Sequence, residues 1–211
     1  MSSFTRALLL SVAFLSVASP AASQHAVFAR VRVQGGPVVE YPSHWKLADE
    51  ATVQNRVHAG QAVADAAGVD VSGFQKRARV IIESQPGPPT AQIRASIVTP
   101  QEYTQADLRA ATAADLRAVK SEFEAVFRKM SSTGTVKVQQ VSEPRVESIA
   151  GRLALVIPYT RYTESDPVLW QVEQIKIPFE DRILSMTISY RTSDAAAMKP
   201  ILQRVKKTLT F

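Results

Sequence analysis

The sequence of 211 residues contains no cysteine, and it has only three histidines and two tryptophans. The absence of cysteine excludes disulfide bonds, thiol catalysis, cysteine-ligated zinc or iron–sulfur centres and a lipid anchor on cysteine. The motifs of phosphate-binding loops, zinc-binding helices and serine hydrolases (GxxxxGKS/T, GxGxxG, HExxH, GxSxG) are also absent. The linear order of the residues therefore shows no reaction centre, and the sequence predicts that the protein is not an enzyme.

Long apolar runs and strong charge are missing too. After residue 23 no segment approaches 18 consecutive apolar residues, so no transmembrane helix is predicted. The net charge is only +6, and the basic clusters, at Lys76–Arg79 and Arg204–Lys207, are short and not interleaved with aromatic residues. Nucleic-acid binding is therefore not predicted. With 45% hydrophobic and 21% charged residues, the chain has the composition of a globular domain.

The first 23 residues have the pattern of a signal peptide. Arg6 precedes a short apolar stretch, and Ala21 and Ser23 supply the small side chains that signal peptidase requires at −3 and −1. We predict a signal peptide over 1–23 and a single mature domain over 24–211, exported to the periplasm or secreted. The alternative interpretation is an uncleaved N-terminal anchor.

Two consecutive helices are predicted in the middle of the chain. Thr104 is a candidate N-cap for a short helix over 105–111, and Thr112 with Asp115 resembles a capping box. Apolar residues after that box fall on one helical stripe, which predicts a helix that ends near Ser131–Gly134. The stripe consists of Leu116, Val119, Phe123, Val126, Phe127 and Met130.

The remaining regular segments read as strands. Ala78–Glu83 and Gln92–Val98 flank a turn-rich loop, so they are predicted to form a hairpin, and alternation in the second strand gives it one wet face. The short connection 178–182 predicts a second hairpin. A phase change between Trp170 and Ile177 is interpreted as a β-bulge. The other predicted strands are Thr135–Val141, Arg152–Tyr162, Val168–Ile177 and Ile183–Tyr190.

A second amphipathic helix is predicted at the C-terminal end, capped by Ser193 or Asp194. Its basic residues Arg204, Lys206 and Lys207 are expected on the solvated side, and association with an anionic membrane surface is the alternative. The buried stripe consists of Met198, Ile201, Leu202, Val205 and Leu209. The order of elements predicts an α+β fold, an antiparallel β-sheet covered by helices.

Several local strings carry a resemblance to a known family. They are Tyr41–Trp45, Gly151–Ala154, Ile177–Arg182, Leu184–Tyr190 and the final Leu209–Phe211. With the order of elements they resemble the PsbP-like family, whose fold is shared with a Ran-binding nuclear import factor. Ala51–Phe74 matches the pattern less clearly. The resemblance implies an α/β/α sandwich and an accessory, binding or assembly role.

Two groups of aromatic and basic residues are candidate binding residues. Tyr41 and Trp45 form either a platform for stacking a ligand or the closed end of the core. Arg161, Tyr162 and Trp170 form a partner-binding surface if they share an exposed patch, because these residue types anchor many interfaces. The alternative is a strand face packed under a helix.

Candidate reactive groups are sparse and dispersed. His44 and His58 could bind a metal with Glu40 only through tertiary contact, so no metal or cofactor is predicted. Ser72 is followed by glycine but lies in no nucleophile elbow. The leading hypothesis is an exported, non-catalytic accessory protein of the cell envelope that binds a protein partner or a small ligand. The alternative is a small exported hydrolase in which His44 and carboxylates converge only in three dimensions.

Overall fold

The structure is a computed structural model, and it describes residues 27–66, 68, 79–133, 136–163 and 166–211. The predicted signal peptide over 1–23 and Ser72 lie outside the described residues. The predicted single domain over 24–211 stays a prediction.

Ten strands and four α-helices make up the described chain. Their bounds are β1 Phe28–Arg32, β2 Val38–Pro42, β3 Lys46–Leu47, α1 Glu50–Ala66, β4 Arg79–Glu83, β5 Ala91–Val98, α2 Gln105–Ala110, α3 Ala113–Thr133, β6 Val136–Val141, β7 Arg145–Ile149, β8 Arg152–Thr163, β9 Asp166–Phe179, β10 Arg182–Arg191 and α4 Ala195–Lys207.

One antiparallel sheet of eight strands organises the fold. Its order is β3-β4-β5-β10-β9-β8, and β7 and β6 pair with the first and second halves of β8. Strands β1 and β2 form a separate hairpin. Helices cover both faces of the large sheet, which confirms the predicted α+β fold and the α/β/α sandwich that the resemblance implied.

The larger core lies on the face of the sheet that packs against α4 and the β1–β2 hairpin. Leu202 and Val205 of α4 and Val39 of β2 are almost fully buried against the central strands. The hairpin approaches so closely that a Cβ atom at Gly36 would collide with the Ile97 side chain. Tight packing therefore closes this face.

Helices α1, α2 and α3 cover the opposite face. Val53 and Val57 of α1 pack on Ile81 at one margin, while α2 and α3 pack on β8 at the other. The predicted caps at Thr104 and Thr112 are confirmed. Each threonine hydroxyl accepts a hydrogen bond from the backbone N–H of an aspartate, and the carboxylate of that aspartate accepts one from the backbone N–H of the threonine. None of the helices in the described part of the chain is both long and apolar enough to cross a membrane.

Most predicted strands are confirmed, including the β4–β5 and β9–β10 hairpins. The prediction of a bulge between Trp170 and Ile177 is wrong, because β9 stays in register with β10 from Trp170 to Phe179. The apolar residues change phase there because both faces of β9 are covered: Val172 faces the α3 side and Ile175 the α4 side. Strands β1, β2, β3 and β7 and helix α1 were not predicted.

The expectation that Lys206 lies on a solvated side of the last helix is wrong. Lys206 is 5% exposed and points toward the sheet, where its Nζ contacts Glu147 and, at 3.1 Å, Glu173. Arg145 binds the same carboxylates at 2.9 and 2.6 Å. We call Arg145, Glu147, Glu173 and Lys206 the paired cluster. A basic surface made of Arg204, Lys206 and Lys207 does not exist, because the paired cluster takes up Lys206.

Candidate functional site

The face of the sheet toward α1 and α3 is polar in its middle. Strand alternation and register bring one side of β5, β10 and β9 together on this face. Arg94 is exposed although it lies in a central strand, so the helices leave a solvent-accessible gap above it. We call this polar strip the central groove; its floor is formed by Gln92, Arg94, Ser96, Gln174, Ser185, Thr187 and Ser189.

A chain of charge-assisted hydrogen bonds crosses the edge of the central groove. Arg56 of α1 donates to both carboxylate oxygens of Glu83, at 2.7 and 2.9 Å. The Gln92 amide also donates to Glu83, at 2.7 Å, and Arg94 Nε donates to the Gln92 carbonyl at 2.6 Å. Burial alone would raise the pKa of Glu83, but these donors outweigh it and hold the pKa below its ordinary value. Glu83 is therefore an ionised acceptor and a weak base.

The outer end of the Arg94 guanidinium has no hydrogen-bond partner among the residues that the structure describes. In the described part of the chain its only hydrogen bond is the one from Nε to Gln92, and neither Nη group has a hydrogen-bond partner there. Water reaches this side chain, yet protein surrounds it closely. That desolvation, with repulsion from Arg161 and Arg56, lowers the pKa of Arg94 to about 10. The group stays cationic at neutral pH.

A row of three residues continues the groove on neighbouring strands. Arg161 of β8, Trp170 of β9 and Arg191 of β10 are direct cross-strand partners. The guanidinium groups of Arg161 and Arg191 lie 5.9 and 5.8 Å from the centre of the indole ring. These distances fit cation–π contacts on both sides of Trp170. We call Arg56, Glu83, Arg94 and Arg161 the groove cluster.

The structure brings together two of the five residues predicted to bind. Arg161 and Trp170 are half-buried cross-strand neighbours on the groove face. Tyr162 comes one residue after Arg161, so strand alternation turns it to the other face. Tyr41 and Trp45 are 8% and 4% exposed and belong to the core beneath α4. Binding by any of the five stays a prediction, and the proposals below do not use Tyr41, Trp45 or Tyr162.

Arg94, Arg56 and Glu83 were missed by the sequence analysis. The alternation of Gln92, Arg94 and Ser96 gave the wet face of β5, but an arginine on a wet face ordinarily lies in open solvent. Arg56 could not be placed because α1 was not predicted. The signal that could have found Arg94 is a long cation in the middle of a strand flanked by two other polar residues on the same face.

The described residues contain no evident acid–base pair. His44 and His58 are exposed, and no hydrogen bond or ion pair joins either to a carboxylate within the described ranges. Glu40 is bound by Arg30 at 2.7 Å. No group of three His, Asp or Glu side chains that could hold a metal occurs in this part of the chain. In the groove, burial raises the pKa of the Tyr159 hydroxyl, so it remains protonated.

A second concavity of about 410 Å³ lies at the end of the hairpins. It is lined by Arg32, Arg152, Arg182 and Phe211, among others. The arginines there already have partners: Arg182 binds Asp181 and the Gly35 carbonyl, and Arg152 lies over the Phe211 ring. The central groove is therefore the stronger candidate for a ligand-binding site.

No protein-family model matches the sequence, and no curated protein matches it. Among solved structures, the chain is similar to the cyanobacterial PsbP protein CyanoP of Synechocystis sp. PCC 6803. The two share 16% identity with a TM-score of 0.55 over 92% of this chain and 99% of that one. The chain has the PsbP-like fold.

Two further solved structures are similar at lower TM-scores. LpqN, described as involved in cell envelope biogenesis of Mycobacterium tuberculosis, has 12% identity and a TM-score of 0.46 over 88% of this chain and 91% of that one. A Pseudomonas aeruginosa protein of unknown function, PA94, described as a putative regulator, has 15% identity and a TM-score of 0.43 over 87% and 96%.

Proposed function

We propose that this PsbP-like chain is an exported, non-catalytic accessory protein of the cell envelope that binds a ligand or partner in the central groove. Export rests on the predicted signal peptide over 1–23. The observation that carries the binding site is the exposed Arg94 side chain in the middle of a covered sheet, whose Nη groups have no hydrogen-bond partner among the described residues. A long cation in that position is poised to bind something that enters the gap.

The chemistry of the groove supports binding rather than turnover. Glu83 is neutralised by Arg56, and the Tyr159 hydroxyl stays protonated. General acid–base catalysis needs a group whose pKa lies near the working pH, and neither residue meets that need. Fixed cations without a base suit recognition of a complementary group.

Hydrogen–deuterium exchange on the full mature chain tests the proposal. We expect an extract of the cell envelope to slow amide exchange in β5, β9, α1 and α3, which surround the groove. The Arg94→Glu variant should lose this protection, while Arg117→Glu, an exposed change on α3, should keep it.

Two results would overturn the proposed function. One is protection confined to segments away from the groove or unchanged in the Arg94→Glu variant. The other is steady consumption of a component of the extract by the wild-type chain, measured by mass spectrometry, since a binding protein releases its ligand unaltered.

A further inference from the structure

One row of cross-strand partners runs across the floor of the central groove. It consists of Ile81, Arg94, Thr187, Gln174 and Ile157, on β4, β5, β10, β9 and β8. The two isoleucines at its ends are 4% and 0% exposed, the first under α1 and the second under α2 and α3. The three residues between them are polar, and solvent reaches them. The row therefore changes from apolar to polar side chains where its helical cover ends.

These polar side chains have hydrogen-bonding groups that the described chain leaves unused. Thr187 and Gln174 form no side-chain hydrogen bond with any described residue, and Arg94 uses only its Nε. The neighbouring row is different, because the Gln92 amide donates to Glu83 and accepts from Arg94. One row is therefore satisfied within the chain, whereas the other is available to a ligand.

Two serines extend the available part of the floor along β5 and β10. Ser96 and Ser185 are direct cross-strand partners, are half-buried, and form no side-chain hydrogen bond with a described residue. Neighbouring strands lie about 4.8 Å apart, so the available side chains extend about 10 Å across three strands. A ligand the size of one ring can therefore contact several of them at once. We call these side chains the open patch: Arg94, Ser96, Gln174, Ser185 and Thr187.

The neutral members of the open patch match a ligand with several hydroxyl groups. Their hydroxyl and amide groups both donate and accept hydrogen bonds, as the hydroxyls of a sugar do. Strands β5, β10 and β9 each pair on both sides, so their backbone groups are already used and an extended peptide cannot add a strand here. An apolar ligand would take the patch out of water without replacing its hydrogen bonds.

Arg94 adds a preference for negative charge. A guanidinium group is a planar fork of N–H donors that matches the paired oxygens of a carboxylate or a phosphate. The Nη groups of Arg94 have no hydrogen-bond partner among the described residues. A ligand with an acidic group and several hydroxyls would use the single cation and its four neutral neighbours together.

We propose that the open patch binds an acidic saccharide, a sugar ring that carries a carboxylate or a phosphate, with Arg94 holding the acidic group and Thr187 and Gln174 bonding to the ring hydroxyls. This assignment rests on the proposed function and names the chemistry of its ligand. The two acidic groups share the same guanidinium contacts, so the experiment includes a probe for each.

Titration of the isotope-labelled full mature chain, followed by amide shifts in NMR spectra, provides the measurement. The acidic probes are methyl glucuronide and glucose 6-phosphate. Methyl glucoside, which has no charge, and cyclohexanecarboxylate, which has no hydroxyl, are the matched control probes at the same pH and ionic strength. We expect at least one acidic sugar to bind about tenfold more tightly than either control probe, with shifts in β5, β9 and β10.

Matched variants locate the binding. Arg94→Gln removes a charge-assisted hydrogen bond and should weaken binding of the acidic sugar by about ten- to a hundredfold. Gln174→Leu and Thr187→Val remove neutral hydrogen bonds and should each weaken it by about three- to tenfold. Gln171→Leu makes the same change on the opposite face of β9 and should leave affinity nearly unchanged, as should Arg117→Gln on the exposed side of α3.

Each outcome decides the assignment. Tighter binding of methyl glucuronide supports a carboxylate, tighter binding of glucose 6-phosphate supports a phosphate, and equal binding supports an acidic saccharide of either kind. The assignment is overturned if no probe binds, if a control probe binds as tightly as the better acidic sugar, or if Gln174→Leu and Gln171→Leu lose affinity equally. Failure of the probes together with groove protection by the envelope extract would refute the ligand chemistry alone, whereas failure of both experiments would refute the proposed function as well.

Discussion

The two faces of the large sheet differ in how completely their charged side chains are paired. Beneath α4, the paired cluster holds as many carboxylates as cations, and its ions contact one another directly. Between α1 and α3, the groove cluster holds three guanidinium groups and a single carboxylate. Among the described residues, the first arrangement balances its charges, whereas the second has an excess of positive charge.

This difference predicts a structural role for the paired cluster and, if the proposed function holds, a binding role for the groove cluster. Removing one ion from a balanced, buried set leaves its partner desolvated and alone, so the folded state loses stability. Removing one of several mutually repelling cations reduces the electrostatic repulsion in the folded state, and the expected loss is in ligand affinity alone. Removal of a cation from each of the two clusters should therefore change stability in opposite directions.

The largest expected effect comes from Lys206→Met in the paired cluster. The substitution leaves two carboxylates facing each other without Lys206, so the free energy of unfolding should fall by about 3 kcal/mol. Chemical denaturation measures the change. Lys207→Met, at the exposed neighbouring position, is the control and should stay within about 0.5 kcal/mol of the wild type. Equal effects of the two substitutions would show that burial of Lys206 has no energetic role.

The next effect concerns the only carboxylate of the groove cluster. Glu83→Gln removes the partner of Arg56 and should lower the free energy of unfolding by about 2 kcal/mol. Glu143→Gln breaks the ion pair with Lys120, in which Glu143 is 68% exposed, and should change it by less than about 1 kcal/mol. In the same denaturation assay, a smaller loss of unfolding free energy for Glu83→Gln than for Glu143→Gln would show that the hydrogen bonds around Glu83 do not stabilise the fold.

Acid titration distinguishes the clusters by their carboxylates. Burial alone would raise the pKa of Glu147, but Lys206 and Arg145 outweigh it and hold the pKa below 4.5. A carboxylate with a lowered pKa in the folded state stabilises the fold above its unfolded pKa, and the gain is lost as the pH falls through the folded value. Stability should therefore decrease below about pH 4.5, with a shallower decrease in Lys206→Met. An identical acid profile for both proteins, followed by thermal melting, would argue against this linkage.

The smallest effect should have the opposite sign. The folded pKa of Arg94 is lowered, so its charge disfavours the fold at every pH below about 10. Arg94→Gln should raise the free energy of unfolding of the ligand-free chain at pH 7, by about 0.5 kcal/mol. Denaturation at pH 7 checks this, and a clear loss of stability would mean that the hydrogen bond from Arg94 to Gln92 outweighs the repulsion.

Local patterns predicted those parts of the fold whose causes are local. The capping boxes at Thr104 and Thr112 and the short loops of the two hairpins use neighbouring residues only, and each was confirmed. Helix α1 has no clear amphipathic pattern in the sequence, because part of the sheet beneath it is polar. Val53, Val57 and Ala64 are therefore sufficient to form its buried side. The phase change in β9 misled the analysis because a doubly covered strand needs no single apolar face.

The candidate site depends on contacts that no local pattern contains. Arg161 and Trp170 were identified from their residue types, and the pairing of β8 with β9 makes them neighbours. The surroundings of Arg94 depend on Glu83, which lies on another strand, and on the gap under α1 and α3. The role of Lys206 likewise depends on Glu147 and Glu173, which lie on two other elements.

The cross-strand row of Arg161, Trp170 and Arg191 has a consequence for the lifetime of the protein. Because three strands contribute to it, the row exists only when β8, β9 and β10 are paired. By mass action, a ligand present at a hundred times its dissociation constant would add about 2.7 kcal/mol to stability. Occupancy would then decide how long each copy survives in the presence of proteases, and copies without ligand would be degraded first.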